Sequence, residues 1–534
     1  MTLSSVRDTS TIYGRRFIIM TALAYLLLTV PFHISPDNFI VDEGYFYLQI
    51  ARNIASGYGS TFNRVMPTNG YHPLWMLVCI CAAYCTKSST LLVQVVAAIS
   101  DMLVLLSIYL LYDICEVLRI KGATAGVAVI AFMTTTIGIW RMLEADLALT
   151  LQLAILALLV RLRHRGQGLS VVCGLSVGCL LGLALLARLD LIFFVFMVCI
   201  YVVFYLGEET HSGRPRLRAL KALSVGAACC LTVCPYLYWN YREFGHIVPI
   251  SGAIKSTFLG GFHVPLFCLP VIIACALNCV RFARRRGSQF AAVTAILSVS
   301  ALLQLTYSIL FGYIAAWYLT TGYLSVALCA TWLFADWLEK SRFPAKQNAW
   351  SGAVAFSVLL SLAVLRLISN FTYTRLMTGD VSFRRDYVEP KRALAESLRH
   401  MLPEGSRIYI FDGPGGVAYY SGMSIVPVDG LVCDYSYNAQ LLADGVSKYM
   451  TDERIDYVIA PVMRGDQSYV GSELNTRRMA SGQVFEIFTP LHHRSAGDFV
   501  VGDGDMVATF ATIVPELEPS APRIALWRVK HEGF

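Results

Sequence analysis

The chain has 534 residues, of which 56% are hydrophobic and 15% charged, with a mean hydropathy of +0.57. That balance excludes a soluble globular protein and describes a polytopic membrane protein. The formal net charge of +7 does not point to nucleic acid, because the basic residues fall in short clusters between apolar runs, the pattern that fixes orientation across a bilayer.

The first element is an apolar run over about residues 17–33, preceded by Arg15-Arg16. It ends in Pro31-Phe32-His33-Ile34 with no small-x-small cleavage site, so it reads as an uncleaved anchor rather than a signal peptide. Further runs long enough to span fall near 90–113, 122–140, 146–161, 169–187, 190–206, 222–241, 263–280, 290–311, 315–336 and 349–369, which makes about eleven spans. Pro73 to Cys85 is also apolar, but its roughly thirteen residues fall short of the ~20 needed to cross, so it is expected to lie at the interface or dip in and out. With that assignment the clusters Arg15/Arg16, Arg119/Lys121, Arg161/Arg163/Arg165, Arg214/Arg216/Arg218/Lys221, Arg281/Arg284/Arg285/Arg286 and Lys340/Arg342/Lys346 all fall on one side. The positive-inside rule makes that side cytoplasmic, with the N-terminus inside and the C-terminus outside. All but Cys433 of the 15 cysteines lie in or beside apolar segments, without metal-ligand spacing, and read as small buried hydrophobes.

This topology sends Asp42, Glu43, Arg52, Arg64, His72, Arg141, Glu144, Asp146, Arg188, Asp190, Arg242, His246 and Lys255 to the outer face. The cytoplasmic loops are basic and monotonous, whereas these residues are of both signs and come from separate parts of the chain. The outer face is therefore the candidate active face. Residues 1–369 are read as the transmembrane domain, with a first outer loop at 34–89.

From about residue 370 to 534 the composition turns polar and mixed, as in a small extracytoplasmic α/β domain. Helices are expected over Tyr387 to Met401 and Tyr437 to Met450, and strands at Arg407 to Phe411, Ile425 to Asp429 and Tyr457 to Ala460. Gly413-Pro414-Gly415-Gly416 follows a strand but lacks dinucleotide-loop spacing, and its proline removes a donor, so a tight turn is expected there.

Asp42-Glu43 opens a stretch that continues through Ala51-Arg52-Asn53-Ile54-Ala55-Ser56-Gly57-Tyr58-Gly59 to Asn69-Gly70-Tyr71-His72-Pro73-Leu74-Trp75. Leu143-Glu144, Ala187-Arg188-Leu189-Asp190, Trp239-Asn240, Phe244-Gly245-His246, Pro249 to Ser256 and Gly416 to Val432 follow in order. Together these resemble the GT-C membrane glycosyltransferases, with their acidic pair after the first transmembrane helix, an interfacial helix and a re-entry. The chain departs from many relatives in having Asp42-Glu43 for Asp-Asp, and Arg141-Met142-Leu143-Glu144 for Asn-Gly-Met-Glu.

The resemblance implies transfer of a sugar from a polyprenyl-phosphate donor with inversion at the anomeric carbon. Such a reaction needs a carboxylate to take the acceptor proton and cations to hold the departing phosphate. Asp42 is expected to be the catalytic carboxylate, with Glu43 and Glu144 assisting. Arg188, Lys255, Arg242 and His72 are expected at the donor phosphate, and Tyr45, Asn69, His246, Trp317 and Tyr318 at the sugar or acceptor. Several have a second reading. Asp42 can be a helix-start carboxylate, Glu43 a salt-bridge partner of Arg52 or Arg188, Arg188 and Asp190 an internal ion pair, Lys255 a snorkelling cation, and Trp317-Tyr318 part of an aromatic belt. No cofactor follows beyond a divalent cation held by Asp42 and Glu144, an open reading.

The expected protein is thus a glycosyltransferase of the bacterial inner membrane acting on an envelope glycan, lipid or protein, with membrane lipid around it and no nucleic-acid partner. A lipid-linked sugar transporter or flippase is the competing class, and a non-catalytic envelope assembly protein is a third. Transporters pair broken helices in related halves with charges at mid-membrane, whereas these charges sit at helix ends.

Overall fold

A chain in lipid satisfies its N–H and C=O groups within its own segment, so apolar runs of this length become helices. The computed structural model describes residues 18–27, 29–30, 33, 40–120, 142–165, 169–204, 215–257, 264–285, 288–311, 314, 316–340, 390–463, 468–470, 474–479, 482–511 and 523–530. The expected spans at 122–140 and 349–369 lie outside these residues, as do Arg15, Arg16, Lys121, Arg141, Arg214, Arg286, Arg342, Lys346 and Tyr387.

The helices are α1 (Ile18–Leu27), α2 (Asp42–Ala55), α3 (Pro73–Cys85), α4 (Ser89–Val117), α5 (Ala145–His164), α6 (Val171–Ala187), α7 (Ile192–Phe204), α8 (Pro215–Phe244), α9 (Ile250–Lys255), α10 (Leu269–Arg284), α11 (Gln289–Phe311) and α12 (Thr320–Lys340). Among the described residues, four stretches are long and apolar enough to cross a membrane: Ser89–Val117, Ala145–His164, Ala219–Phe244 and Gln289–Leu310. Serine starts two of the helices: the Ser88 hydroxyl accepts from the Leu91 amide, and the Ser170 hydroxyl from the Cys173 amide. The short apolar segment is a helix, α3, with Pro73 in its first turn, where a missing N–H costs nothing.

Where α6 packs on α8, the chain carries Gly174, Gly178 and Gly182, one every fourth residue. A Cβ at Gly178 would lie 2.3 Å from the Val225 carbonyl oxygen, and one at Gly174 would lie 2.2 Å from Ser224 Oγ. Small residues at this spacing let two helices in lipid approach until their backbones touch. Polar side chains tie the other helices together. Thr150 bonds Ser107 at 2.9 Å, Gln152 donates to Thr321 at 2.6 Å, and Asn278 donates to Ser298 and accepts from the Trp332 indole.

The tail is an α/β unit built from α13 (Pro390–Met401), β1 (Arg407–Ile410), α14 (Pro414–Ser421), β2 (Ser424–Pro427), α15 (Tyr435–Asp452) and β3 (Tyr457–Pro461). Strands β1, β2 and β3 are parallel, as expected of strand–helix–strand units. The sequence reading missed β4 (Ser468–Val470), β5 (Leu474–Met479), β6 (Gly482–Phe488), β7 (Ser495–Val501), β8 (Met506–Ala511) and β9 (Arg523–Arg528). They complete a five-stranded sheet of order β2-β1-β3-β9-β8 and a four-stranded sheet of order β4-β5-β6-β7. Gly413 is in a left-handed turn (φ 62°) but serves as the cap of α14, so the expected turn starts a helix.

The first loop and the tail share one core. Phe46, Phe62, Trp75 and Val93 belong to the same buried cluster as Tyr409, Tyr419, Ile459 and Trp527. The Thr68 hydroxyl donates to the Cys433 carbonyl at 3.0 Å, and Ser424 Oγ donates to the Asn63 carbonyl at 3.1 Å. A Cβ on Gly70 would lie 2.1 Å from the Leu431 carbonyl oxygen, so the backbone of one motif rests on that of the other.

Surfaces that share a core lie on one side of a membrane. Labelling tags at Lys87 and Glu404, both exposed, are expected to be reached from the same side, and a tag at Arg165, beyond the far end of α5, only from the other. Labels on opposite sides for Lys87 and Glu404 would contradict the shared core. Gly178→Leu is expected to separate α6 from α8 and cost ~1–3 kcal/mol, read as a lower Tm in detergent.

Candidate active site

Four loop-proximal helix ends bring charge to one end of the helical bundle. Glu144 stands just before the start of α5, and Arg188 leaves the end of α6 with extended backbone (φ −156°, ψ 123°) before a 3-10 turn over Leu189–Leu191. The Arg188 side chain is fully buried. Its Nη1 donates to Glu144 Oε1 at 2.8 Å, while Nε and Nη2 clasp the two oxygens of Asp190 at 3.0 and 2.9 Å. This is the bidentate geometry a planar guanidinium favours.

Further groups complete the cluster. Gln304 of α11 donates to Asp190 Oδ2 and to the Tyr318 carbonyl, both at 2.6 Å. The Tyr47 hydroxyl donates to Glu144 Oε2 at 3.0 Å and accepts from the His72 amide at 3.1 Å. His72 Nε2 is 3.7 Å from Glu144 Oε1. The Tyr318 ring lies under two cations, with the Arg188 guanidinium 4.7 Å and the Lys255 ammonium 5.7 Å from its centroid. Lys255 Nζ is also 3.8 Å from Glu43 Oε1, and both of these side chains retain solvent exposure, 21% and 26%.

Protonation follows from these neighbours. Burial works against the charge on Glu144, yet the surrounding donors hold its carboxyl below the usual carboxylate range. His72 and then Arg188 are the groups that outweigh burial at Glu144, while burial pushes the His72 imidazole itself down. Burial also opposes the charge on Lys255, but Tyr318 and Glu43 outweigh it and raise its pKa. Burial, with Glu144 next in effect, drives the Tyr47 phenol well above its ordinary value, which leaves it a proton donor.

The structure therefore brings together Glu43, Glu144, His72, Arg188, Lys255 and Tyr318, with Trp317 beside Tyr318 at 6.1 Å between rings. Other expected site residues go elsewhere. Asp42 accepts from Lys391 Nζ at 2.8 Å and from the amides of Gly415 and Gly416 at 2.7 and 3.3 Å, so it faces the tail. Tyr45 packs its ring against Tyr419 and Tyr420. Asn69 is buried and spends its amide on Asn240 and the Ile250 amide, pinning the loop before α9. His246 stacks on Tyr435 at 3.6 Å, and Arg242 is exposed in the last turn of α8.

Glu43 pairs with Lys255, not with the Arg52 or Arg188 that charge alone suggested. Asp42 and Glu144 have separate protein partners, and among the described residues no group of three or more His, Cys, Asp or Glu gathers as a metal site would. Tyr47 and Gln304 were missed by sequence reasoning. Tyr47 stands four residues after Glu43, one helical turn on, and Gln304 is a polar residue inside an apolar run; both signals were present.

No protein-family model matches the chain, and no curated protein matches it in sequence. Solved structures match it in fold. The structure of ArnT from Cupriavidus metallidurans bound to undecaprenyl phosphate is 11% identical, covers 85% of this chain and 96% of its own, and superposes with a TM-score of 0.50. The same protein in its apo state is 14% identical over 85% of this chain and 97% of its own, at a TM-score of 0.48. The likeness to the undecaprenyl phosphate complex is one of fold, and the fold is the one expected from the motif order.

Arg188→Met leaves the buried Glu144 and the half-buried Asp190 without their counter-charge and is expected to cost ~3–5 kcal/mol, seen as a lower Tm at neutral pH. The folded Glu144 pKa is depressed from 4.5, so its contribution is present above that value and is lost as pH falls through the depressed one. The Tm gap between wild type and Arg188→Met should narrow in acid; a gap independent of pH would contradict the ionised pair.

Proposed function

We propose that this chain is a membrane glycosyltransferase that moves a sugar from a polyprenyl-phosphate donor to an acceptor hydroxyl, with inversion, on the outer face of the bacterial inner membrane. The observation that carries this reading is the Glu43–Lys255 pair. It is the longest of the ion pairs in the cluster, 3.8 Å against 2.8 and 2.9 Å for those of Arg188, and solvent reaches both of its side chains, in a fold shared with a protein crystallised with undecaprenyl phosphate.

At 3.8 Å the pair is held by charge more than by a tight hydrogen bond, so a phosphate can enter and take Lys255. The Glu43 carboxylate is then released toward the acceptor. As the acceptor oxygen bonds to the anomeric carbon, the bond from that carbon to the phosphate oxygen breaks, the hydroxyl proton passes to Glu43, and Lys255 stabilises the charge left on the phosphate. Arg188 has three N–H groups committed to Glu144 and Asp190, so its part is to hold the floor of the site and to share the Tyr318 ring with Lys255. A tail domain over the site offers a surface for a glycan, lipid or protein acceptor. The basic clusters at the far helix ends support a cytoplasmic N-terminus and an extracytoplasmic tail.

The test is a purified preparation given polyprenyl-phosphate sugars, with product mass as the readout. Glu43→Gln is expected to lower turnover by ~10²-fold or more while donor still binds, and Lys255→Ala to weaken donor binding more than acceptor binding. Normal turnover in Glu43→Gln at equal abundance would remove it from the chemistry. Envelope glycans and glycoproteins compared by mass with and without the gene would identify the acceptor.

A further inference from the structure

Asp42 and Glu43 are neighbours in sequence and face different parts of the molecule. Successive residues on a helix are ~100° apart, and those at spacings of three and four share a face. On α2 the stripe Asp42, Tyr45, Arg52 runs along the tail. Asp42 holds Lys391 and the first amides of α14, Tyr45 packs on Tyr419 and Tyr420, and Arg52 donates to Gln49 and to the Tyr419 carbonyl at 2.9 Å. The adjoining stripe, Glu43 and Tyr47, runs along the charge cluster. The start of α14 is built for the Asp42 contact, since a Cβ on Gly415 would lie 2.4 Å from the Asp42 carbonyl oxygen, and one on Gly416 3.1 Å from Lys391.

We infer that Asp42 is a positioning residue: its carboxylate docks Lys391 and the Gly415-Gly416 amides of the tail onto the first turn of α2, and this docking aims Glu43 at Lys255. The tail then does more than cover the site; its seating is a condition for the base to be in place. This inference rests on the transferase reading for its effect on turnover, but the docking itself is measurable without any activity.

The experiment uses the full chain in detergent or nanodiscs with Asp42→Asn, Lys391→Met, Lys391→Arg and Gly415→Ala beside wild type. Hydrogen exchange is followed at residues 42–50 and 413–421, and turnover is followed as a function of pH. The expected result is that Asp42→Asn, Lys391→Met and Gly415→Ala each speed exchange in both segments and lower kcat by ~10-fold or more through misplacement. The acid limb of the pH profile should stay where it is, and Lys391→Arg should restore most of the loss. A cut of the chemistry confined to Asp42→Asn, with Lys391→Met and Gly415→Ala at wild-type turnover and exchange, would make Asp42 the base and overturn the inference. Unchanged exchange in all variants would overturn it as well. Absence of transfer by wild type would count against the transferase reading alone, because exchange still decides the docking.

Discussion

Burying the Arg188 guanidinium forces distant lengths of chain to a common point, because a charge taken out of water is tolerable only when paired and hydrogen-bonded. Glu144 and Asp190 supply the pairing, Gln304 and Tyr47 satisfy those carboxylates in turn, and Tyr318 offers its ring. Each partner comes from a different element, so the cluster registers the helices against one another. Lys255 and Glu43 adjoin it at a looser 3.8 Å, with solvent reaching both side chains.

The glycine stripe on α6 acts on the same place from a distance. Arg188 follows directly on the last residue of α6, and Lys255 ends α9, which follows α8 after a short connection. The closeness of α6 and α8 therefore helps to set how far apart the two cations stand over Tyr318. Asn69 and Asn240 fix that connection from the other side by bonding to Ile250, His246 and Ile247. A packing device deep in the helices and a polar pin at their ends thus serve one geometry.

Much of this was legible in the sequence, because charge and apolar length obey strong rules in lipid. The short run at Pro73 to Cys85 is a helix with the bounds its apolar residues mark, and the charges that meet at Arg188 stand out against apolar neighbours. The partners of Asp42 were not legible. They lie 349 and 373 residues downstream, and a carboxylate at a helix start looks the same whether its partner is an acceptor hydroxyl or a glycine amide. Gly413 to Gly416 reads as a turn because an anion-binding helix start is recognised by its anion, and here the anion belongs to the protein. Strands such as Leu474-Asn475-Thr476-Arg477-Arg478-Met479 escape because they lack the alternation of a half-buried strand, being paired on both sides in a sheet of mixed polarity.

The core shared by the first loop and the tail has a consequence for synthesis. The first loop ends near residue 89 and the tail begins near residue 390, so the surfaces that bury one another emerge on the order of 15–60 s apart at ribosomal speed. Trp527 of β9 is part of that core, which delays closure until residues 523–528 have also emerged. During that interval Tyr45 lacks the Tyr419 and Tyr420 rings that cover it in the finished protein, so this end of α2 is exposed for as long as the tail takes to be made.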